Sequence, residues 1–187
     1  MNKAFQAHNV RMLATRPPMS RRILILDTSV LCCWLQVPGK EESGPSNDRW
    51  NHDRIDGLLK QERAKGSTFV LPIATLIETG NHIAQAASQR FERASSLAAY
   101  LREAADAQSP WAAFTDQSPL WEAENLRTLA DSWPQLACAG TSIGDATIKD
   151  VAEYYAKAGY FVEILTGDAG LKAYEPVKPT RIPRRRR

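Results

Sequence analysis

Short apolar runs separate the chain into alternating strands and helices. Residues 23–26 are four consecutive aliphatic residues, 68–71 and 160–165 are mainly apolar runs with one polar residue each, and 111–114 is a weaker run. Apolar runs without alternating polar positions are typical of strands that are buried on both faces, as in a parallel sheet. We therefore predict four strands in such a sheet, with an edge strand at 177–182 as a further member.

The segments between these runs repeat apolar residues at helical spacing. This pattern predicts amphipathic helices at 30–35, 50–65, 72–88, 90–105, 120–132, 143–158 and 169–174. Pro134 is expected to end the fifth of them, because proline breaks the helical hydrogen-bond pattern. Strands that alternate with helices favour right-handed crossovers. The expected fold class is therefore α/β, with a three-layer α/β/α arrangement around a central parallel sheet.

The ends of the chain differ in composition from its body. A length of 187 residues suits one domain, which we place at 22–180, after a leader at 1–21 that has no acidic residue. Residues 181–187 include five arginines, and removing the four at 184–187 takes the formal net charge from +3 to −1. Such a basic tail binds nucleic acid or an acidic partner, or is only a solvated end, and both interpretations stay open.

The lengths of the apolar runs and the number of cysteines indicate the cellular location of the protein. No run approaches the roughly 20 apolar residues that a membrane-spanning helix needs, so no membrane contact is predicted. The three cysteines form no CxxC pair and are odd in number: Cys32, Cys33 and Cys138. This usage favours a reducing, cytoplasmic location and argues against a structural zinc site.

Four acidic residues are placed to meet at one edge of the predicted sheet. Asp27 follows the first strand and Asp168 follows the fourth, at 160–165. Glu78 falls in the helix after the second strand, and Asp145 falls in the first turn of the helix before the fourth strand. Ligands of parallel sheets bind outside the carboxyl ends of the strands. The sequence therefore predicts one pocket that is lined by four carboxylates.

Each acid also has a purely structural interpretation. Asp27 and Asp168 can cap the helices that follow them, and Asp145 can form a capping box with Ser142. Glu78 can simply face the solvent. For any one acid the structural interpretation is the more common, and only their joint placement favours a pocket.

Four segments resemble the acidic motifs of PIN-domain ribonucleases and occur in the same order. They are LDTSVL at 26–31, LIE at 76–78, GDATI at 144–148 and LTGDAGL at 165–171, and the resemblance extends over about 23–174. It implies a PIN-like fold, a Mg²⁺- or Mn²⁺-dependent endoribonuclease and a homodimer. It also suggests a VapC-like toxin with an antitoxin partner, although 36–51 and 90–133 are longer here than in compact toxins of this kind.

The chemistry of RNA cleavage explains why carboxylates would cluster. Hard divalent cations stabilise the extra negative charge on phosphate, and carboxylate oxygens are their natural ligands. We expect Asp27, Asp145 and Asp168 to hold Mg²⁺ or Mn²⁺. Glu78 would bind the ion or orient the attacking water. The expected products carry a 5′-phosphate and a 3′-hydroxyl.

Four further residues are candidates for binding the RNA substrate. In PIN-like sites, hydroxyls such as those of Thr28, Ser29 and Thr166 support the acids or touch phosphate, and ordinary turn chemistry explains them equally well. His82 lies one helical turn after Glu78 and is expected to contact substrate, or else to be a surface residue. Asp150 lies roughly 140° around the helix from Asp145, which argues against both acids binding one ion.

Two other functional classes were considered. A catalytically inactive PIN-like module would keep the sheet and bind nucleic acid or protein without cleaving it. A haloacid-dehalogenase type of phosphotransferase also begins with an Asp after the first strand, but it needs a second Asp where this chain has Ser29. Dinucleotide-binding and P-loop patterns do not occur.

Overall fold

A parallel sheet of three strands forms the centre of the molecule. The computed structural model describes residues 22–177, and everything below refers to them. The strands lie in the order β4-β1-β5, where β1 is Arg22–Leu26, β4 is Thr68–Val70 and β5 is Phe161–Leu165. The predicted first and last strands are therefore direct neighbours, with Leu26 opposite Leu165 at their carboxyl ends.

Side chains of β1 alternate between two hydrophobic cores on opposite faces of the sheet. Leu24 and Leu26 belong to the core that includes the helices α1 to α4, at Thr28–Trp34, His52–Ala64, Ile73–Gln85 and Arg90–Ala105. Ile23 and Ile25 belong to the other core, with Ile148 and Val151 of helix α6, which is Ile143–Lys157. Because helices cover both faces, the predicted α/β class with a central parallel sheet is confirmed.

The remaining elements lie around this frame. The predicted insertion at 36–51 contains a small antiparallel hairpin, β2 (Glu42–Ser43) and β3 (Trp50–Asn51). After the sheet's second strand the chain also forms a 3₁₀ helix at Phe114–Trp121, and then α5 at Ala123–Cys138, α6 at Ile143–Lys157 and α7 at Ala169–Lys172.

The predicted strand at 111–114 is wrong. Only Trp111 bridges to the sheet, opposite Phe69, and Ala112 N–H donates to Phe69 O at 2.9 Å. The next two residues leave the sheet, and Phe114 begins the 3₁₀ helix. Two alanines in a run of four give little strand preference, so a single bridge is all that this segment adds to the edge of β4.

The predicted helix stop at Pro134 is also wrong. Helix α5 continues through Pro134 to Cys138. None of its residues is buried, so water can reach the backbone carbonyl that proline leaves without an N–H donor. The disruption that proline causes in a packed helix is therefore smaller on this exposed one.

The outer edge of β5 is covered by side chains. Glu175 accepts a hydrogen bond from Ile164 N–H at 3.0 Å, and Lys172 Nζ donates to Ile164 O at 2.9 Å. These contacts occupy backbone groups that another strand could otherwise pair with. The predicted edge strand at 177–182 lies outside the described residues except for Val177, which is exposed and belongs to no strand.

Three other predictions bear on the limits of the domain and on membranes. The leader at 1–21 and the basic tail at 181–187 lie outside the described residues. Within 22–177, no helix combines the length and the apolar character that crossing a bilayer requires.

Candidate active site

All four predicted acids line one cleft at the carboxyl ends of β1 and β5. The cleft has a volume of about 300 Å³. Its walls include all four candidate catalytic acids, Asp27, Glu78, Asp145 and Asp168. Three of the four predicted substrate-binding residues also line it: Thr28, Ser29 and His82. The other lining residues were not predicted as part of a site, and they are Cys32, Lys40, Glu42 and Ser43. Segments that are far apart in the chain therefore meet as the topology of the sheet predicted.

Asp27 is the most buried of the four acids and accepts hydrogen bonds from four donors. Its Oδ1 accepts from Thr28 N–H at 2.6 Å, and its Oδ2 accepts from Ser29 N–H, Ser29 Oγ and Thr166 Oγ1 at 3.3, 2.6 and 2.8 Å. Burial raises the pKa of Asp27 above its ordinary value, against the opposing effect of these hydrogen bonds. Asp27 is thus the N-cap of α1 and also a wall of the cleft.

Glu78 reaches the cleft from α3. Thr75 Oγ1 donates to Leu26 O at 2.8 Å, which joins the first turn of α3 to the end of β1. Thr28 Oγ1 then donates to Glu78 Oε2 at 2.9 Å. The other oxygen, Oε1, lies so close to Gly144 that a side chain at position 144 would overlap it. Glu78 therefore does not simply face the solvent, because α1 and α6 both restrict it.

Asp145 and Asp168 line the cleft at the first turns of two helices. Ser142 is the N-cap of α6: its Oγ accepts from Asp145 N–H at 2.9 Å and donates to Asp145 Oδ2 at 2.8 Å. The predicted capping box is therefore formed only in part, because Asp145 accepts from the Ser142 hydroxyl instead of the Ser142 backbone N–H. Asp168 Oδ1 accepts from the N–H groups of Gly170 and Leu171 at 2.6 and 3.0 Å. Within residues 22–177, Asp145 Oδ1 and Asp168 Oδ2 have no hydrogen-bond partner, so capping leaves one oxygen of each acid available.

The predicted hydroxyl groups support the acids. Thr166 Oγ1 donates to Asp27 and accepts from Asp168 N–H at 2.9 Å, so one hydroxyl joins two of the acidic residues. Ser29 Oγ donates to Asp27 and accepts from Gly167 N–H at 3.0 Å. Contact of these hydroxyls with RNA stays a prediction. His82 lines the cleft beside Glu78, whereas Asp150 does not line it and lies 3.8 Å from Lys149.

The insertion contributes a wall that the sequence did not predict. Lys40, Glu42 and Ser43 come from the segment before and within β2, and they line the same cleft as the acids. A side chain at position 167 would overlap Ser43 Oγ and would lie 2.7 Å from Gly44 N. The hairpin therefore packs directly on the loop after β5. No local pattern in this polar segment reveals that contact, because it depends on a glycine more than 120 residues away.

Charges in the cleft are unbalanced. No ion pair of residues 22–177 includes Asp27, Glu78, Asp145 or Asp168. Burial, with smaller contributions from the charges of Asp27 and Glu78, raises the pKa of the Cys32 thiol to about 11, although a hydrogen bond with Thr79 and the charge of Lys40 act to lower it. In this arrangement the described part of the chain holds no group of three or more His, Cys, Asp or Glu side chains close enough to bind one ion.

Compared with known proteins, the chain matches no family model, no curated sequence and no solved structure. The similarity to PIN domains therefore depends on the four short motifs and on the cleft that they line. The parallel sheet by itself does not identify a family, because many unrelated functions occur on similar α/β frames.

Proposed function

We propose that the chain is a divalent-metal-dependent endoribonuclease of the PIN type. The observation that carries the proposal is the convergence of four carboxylates, from four separate segments, on one cleft, with no ion pair to any of them among residues 22–177. Unpaired carboxylates that share a cleft repel one another, and a bound cation removes that repulsion. The four acids are not neutralised by Lys40, the one lysine or arginine of the described chain that lines the cleft, which favours an ion-binding role over a purely structural one.

The donor set fits a hard divalent cation. Mg²⁺ and Mn²⁺ prefer carboxylate and water oxygens, and the cleft offers those rather than thiolates or paired histidines. Asp145 and Asp168 would hold the ion through the oxygens that capping leaves available. Asp27 would hold it through lone pairs that its hydrogen bonds do not use. When bound, the ion supplies charge stabilisation at phosphate and a more acidic water.

Glu78 is placed to act on the attacking water. Thr28 fixes one of its oxygens, and the other can accept a hydrogen bond from water in the cleft. The water oxygen adds to phosphorus as its proton passes to Glu78, the bond from phosphorus to O3′ breaks, and O3′ takes a proton from solvent water. This step would leave a 5′-phosphate and a 3′-hydroxyl, the products that are expected from the sequence.

The test is cleavage of single-stranded RNA by the purified protein with Mg²⁺ or Mn²⁺. Asp27→Asn should lower the rate on the order of 1,000-fold, because it removes a buried negative charge from the ion site. Asp131→Asn is the matched control, since Asp131 is exposed on α5 and makes no ion pair among the described residues. Undiminished cleavage by Asp27→Asn would refute the proposal.

A catalytically inactive binding module is the second candidate, and one observation favours it. The acids of the described chain are not spaced to hold an ion without rearrangement. Such a module would bind RNA or a protein equally well with and without Mn²⁺. It would take up no Mn²⁺ in a calorimetric titration, whereas a nuclease should take up Mn²⁺ in a way that Asp27→Asn weakens.

A further inference from the structure

The hairpin β2–β3 is fixed against the cleft by interactions of its own. Arg54 of α2 pairs with Asp48 at 2.7 Å, donates to Arg49 O at 2.8 Å and lies over the Trp50 ring at 3.9 Å. Arg49 in turn pairs with Glu42 at 2.5 Å. The Gly167 contact described above then joins the hairpin to the loop that carries Asp168. These contacts fix the position of the hairpin relative to α2 and to the loop after β5.

Lys40 is the last residue of a hydrogen-bonded turn that precedes the hairpin. Lys40 N–H donates to Val37 O at 2.8 Å, and Val37 is fully buried in the core. Pro38 and Gly39 occupy the middle of the turn, and Gly39 has φ +82°, which favours glycine. The backbone of Lys40 is thus held at the mouth of the cleft, and its long side chain can reach different points there.

Lys40 differs from the other lysines in its pairing. Among residues 22–177 it is the one lysine without an ion pair, since Lys60, Lys65, Lys149, Lys157 and Lys172 each contact a carboxylate. It is also the one lysine or arginine of the described chain that lines the cleft. The nearby Glu42 does not neutralise it, because Glu42 pairs with Arg49.

We propose that Lys40 is a substrate-binding residue that contacts a phosphate of the RNA strand next to the one that is cleaved. This inference depends on the proposed nuclease function and extends it to how the strand is held. The acids and their ion would surround the reacting phosphate. The ammonium group of Lys40, which lines the same cleft, offers a point charge to a neighbouring phosphate, as lysines commonly do.

Binding can be measured separately from cleavage by replacing Mg²⁺ with Ca²⁺ and following the anisotropy of a labelled single-stranded oligoribonucleotide over a range of salt concentrations. Lys40→Gln should weaken binding about tenfold and reduce the slope of log Kd against log salt by roughly 0.7, the value for one phosphate contact on a single strand. Lys40→Arg should restore most of both. Lys60→Gln is the matched control, because Lys60 lies on α2 outside the cleft.

In cleavage assays with Mg²⁺, Lys40→Gln should raise KM about tenfold with a kcat within about twofold of the wild type, because the contact is made equally in the ground and transition states. An unchanged salt slope in Lys40→Gln, or a wild type that binds no RNA, would overturn the role of Lys40. RNA binding with the expected slope change, but without cleavage by any variant, would instead contradict the nuclease proposal and leave Lys40 as an RNA contact.

Discussion

Single hydroxyl groups hold the candidate site together. Thr166 is buried, donates to Asp27 and accepts from the backbone of Asp168, so it sets the positions of two acids that are supplied by different strands. Thr28 does the same for Asp27 and Glu78, through its backbone and its side chain. At this scale, capping a helix and lining the cleft are not separate roles, since Asp27 and Asp168 each do both.

Thr166→Val tests this positioning role. The substitution keeps the shape of the side chain but removes the hydroxyl, so activity should fall by about 10- to 100-fold while Asp27 and Asp168 remain present. Thr128→Val is the control, because Thr128 donates only to a carbonyl of its own exposed helix. Mn²⁺ affinity should weaken in parallel. Equal activity of both variants would mean that Thr166 has no part in the site.

At the scale of elements, the site depends on how closely two helices approach. Helix α6 begins beside α3, and Gly144 leaves the space that Glu78 Oε1 occupies. An added Cβ would also lie 3.2 Å from Glu78 Cδ, so the carboxylate would have to move. A glycine that looks like a weak helix residue in the sequence therefore has a packing reason.

Gly144→Ala should lower activity by about 10- to 100-fold, the cost of displacing a catalytic group by about an ångström. Gly57→Ala is the matched control in the middle of α2, where nothing lies within 4 Å of the added Cβ. That control should raise the free energy of unfolding by about 0.5–1 kcal/mol and leave cleavage unchanged. An active Gly144→Ala protein, compared with Gly57→Ala in the same assay, would argue against a catalytic role for Glu78.

The elements that sequence patterns predicted well are those that are decided locally. An uninterrupted aliphatic run identified β1, a mainly apolar run identified β5, and the rule for carboxyl ends of parallel strands placed Asp27 and Asp168 together. The errors at Trp111 and Pro134 arose because an edge position and full solvent exposure override local preference. The position of Lys40 was not predictable, since it depends on a hairpin that packs against Gly167.

At the scale of the whole molecule, a buried carboxylate links helix α2 to the end of the sheet that lies away from the cleft. Glu62 at the end of α2 is 1% exposed and accepts from Arg22 and Lys65 at 3.0 and 2.8 Å and from Ser67 at 2.7 Å. Arg22 also pairs with Glu163 of β5. Burial acts to raise the pKa of Glu62, but hydrogen bonds from Lys65 and Ser67 and the charge of Arg22 bring it below its ordinary value.

This lowered pKa gives a dependence of stability on pH. Ionised Glu62 stabilises the fold at pH values above its unfolded pKa of about 4.5, and that contribution is lost as the pH falls through the lower folded pKa. Glu62→Gln should therefore cost about 1–3 kcal/mol at pH 7 and progressively less as the pH falls below 4.5. Urea unfolding at several pH values measures this, with the exposed Glu124→Gln as control. A cost that does not change with pH would show that packing, rather than charge, is responsible.

The homodimer and an antitoxin partner stay predictions from the PIN resemblance. All four acids of the cleft come from one chain, so the cleft can form without a second copy of the protein. Gel filtration of the purified protein separates a monomer from a dimer, and the outcome leaves the proposal for the cleft unchanged.

The pairing of β1 with β5 has a consequence for synthesis on the ribosome. Thr166 lies 139 residues after Asp27, yet the two share a hydrogen bond. A nascent chain that has already emerged with Asp27 and Glu78 still lacks the strand that completes the frame. For a nuclease of the proposed kind, the growing polypeptide cannot cut the messenger that is being translated, and cleavage begins only when almost the whole domain has left the exit tunnel.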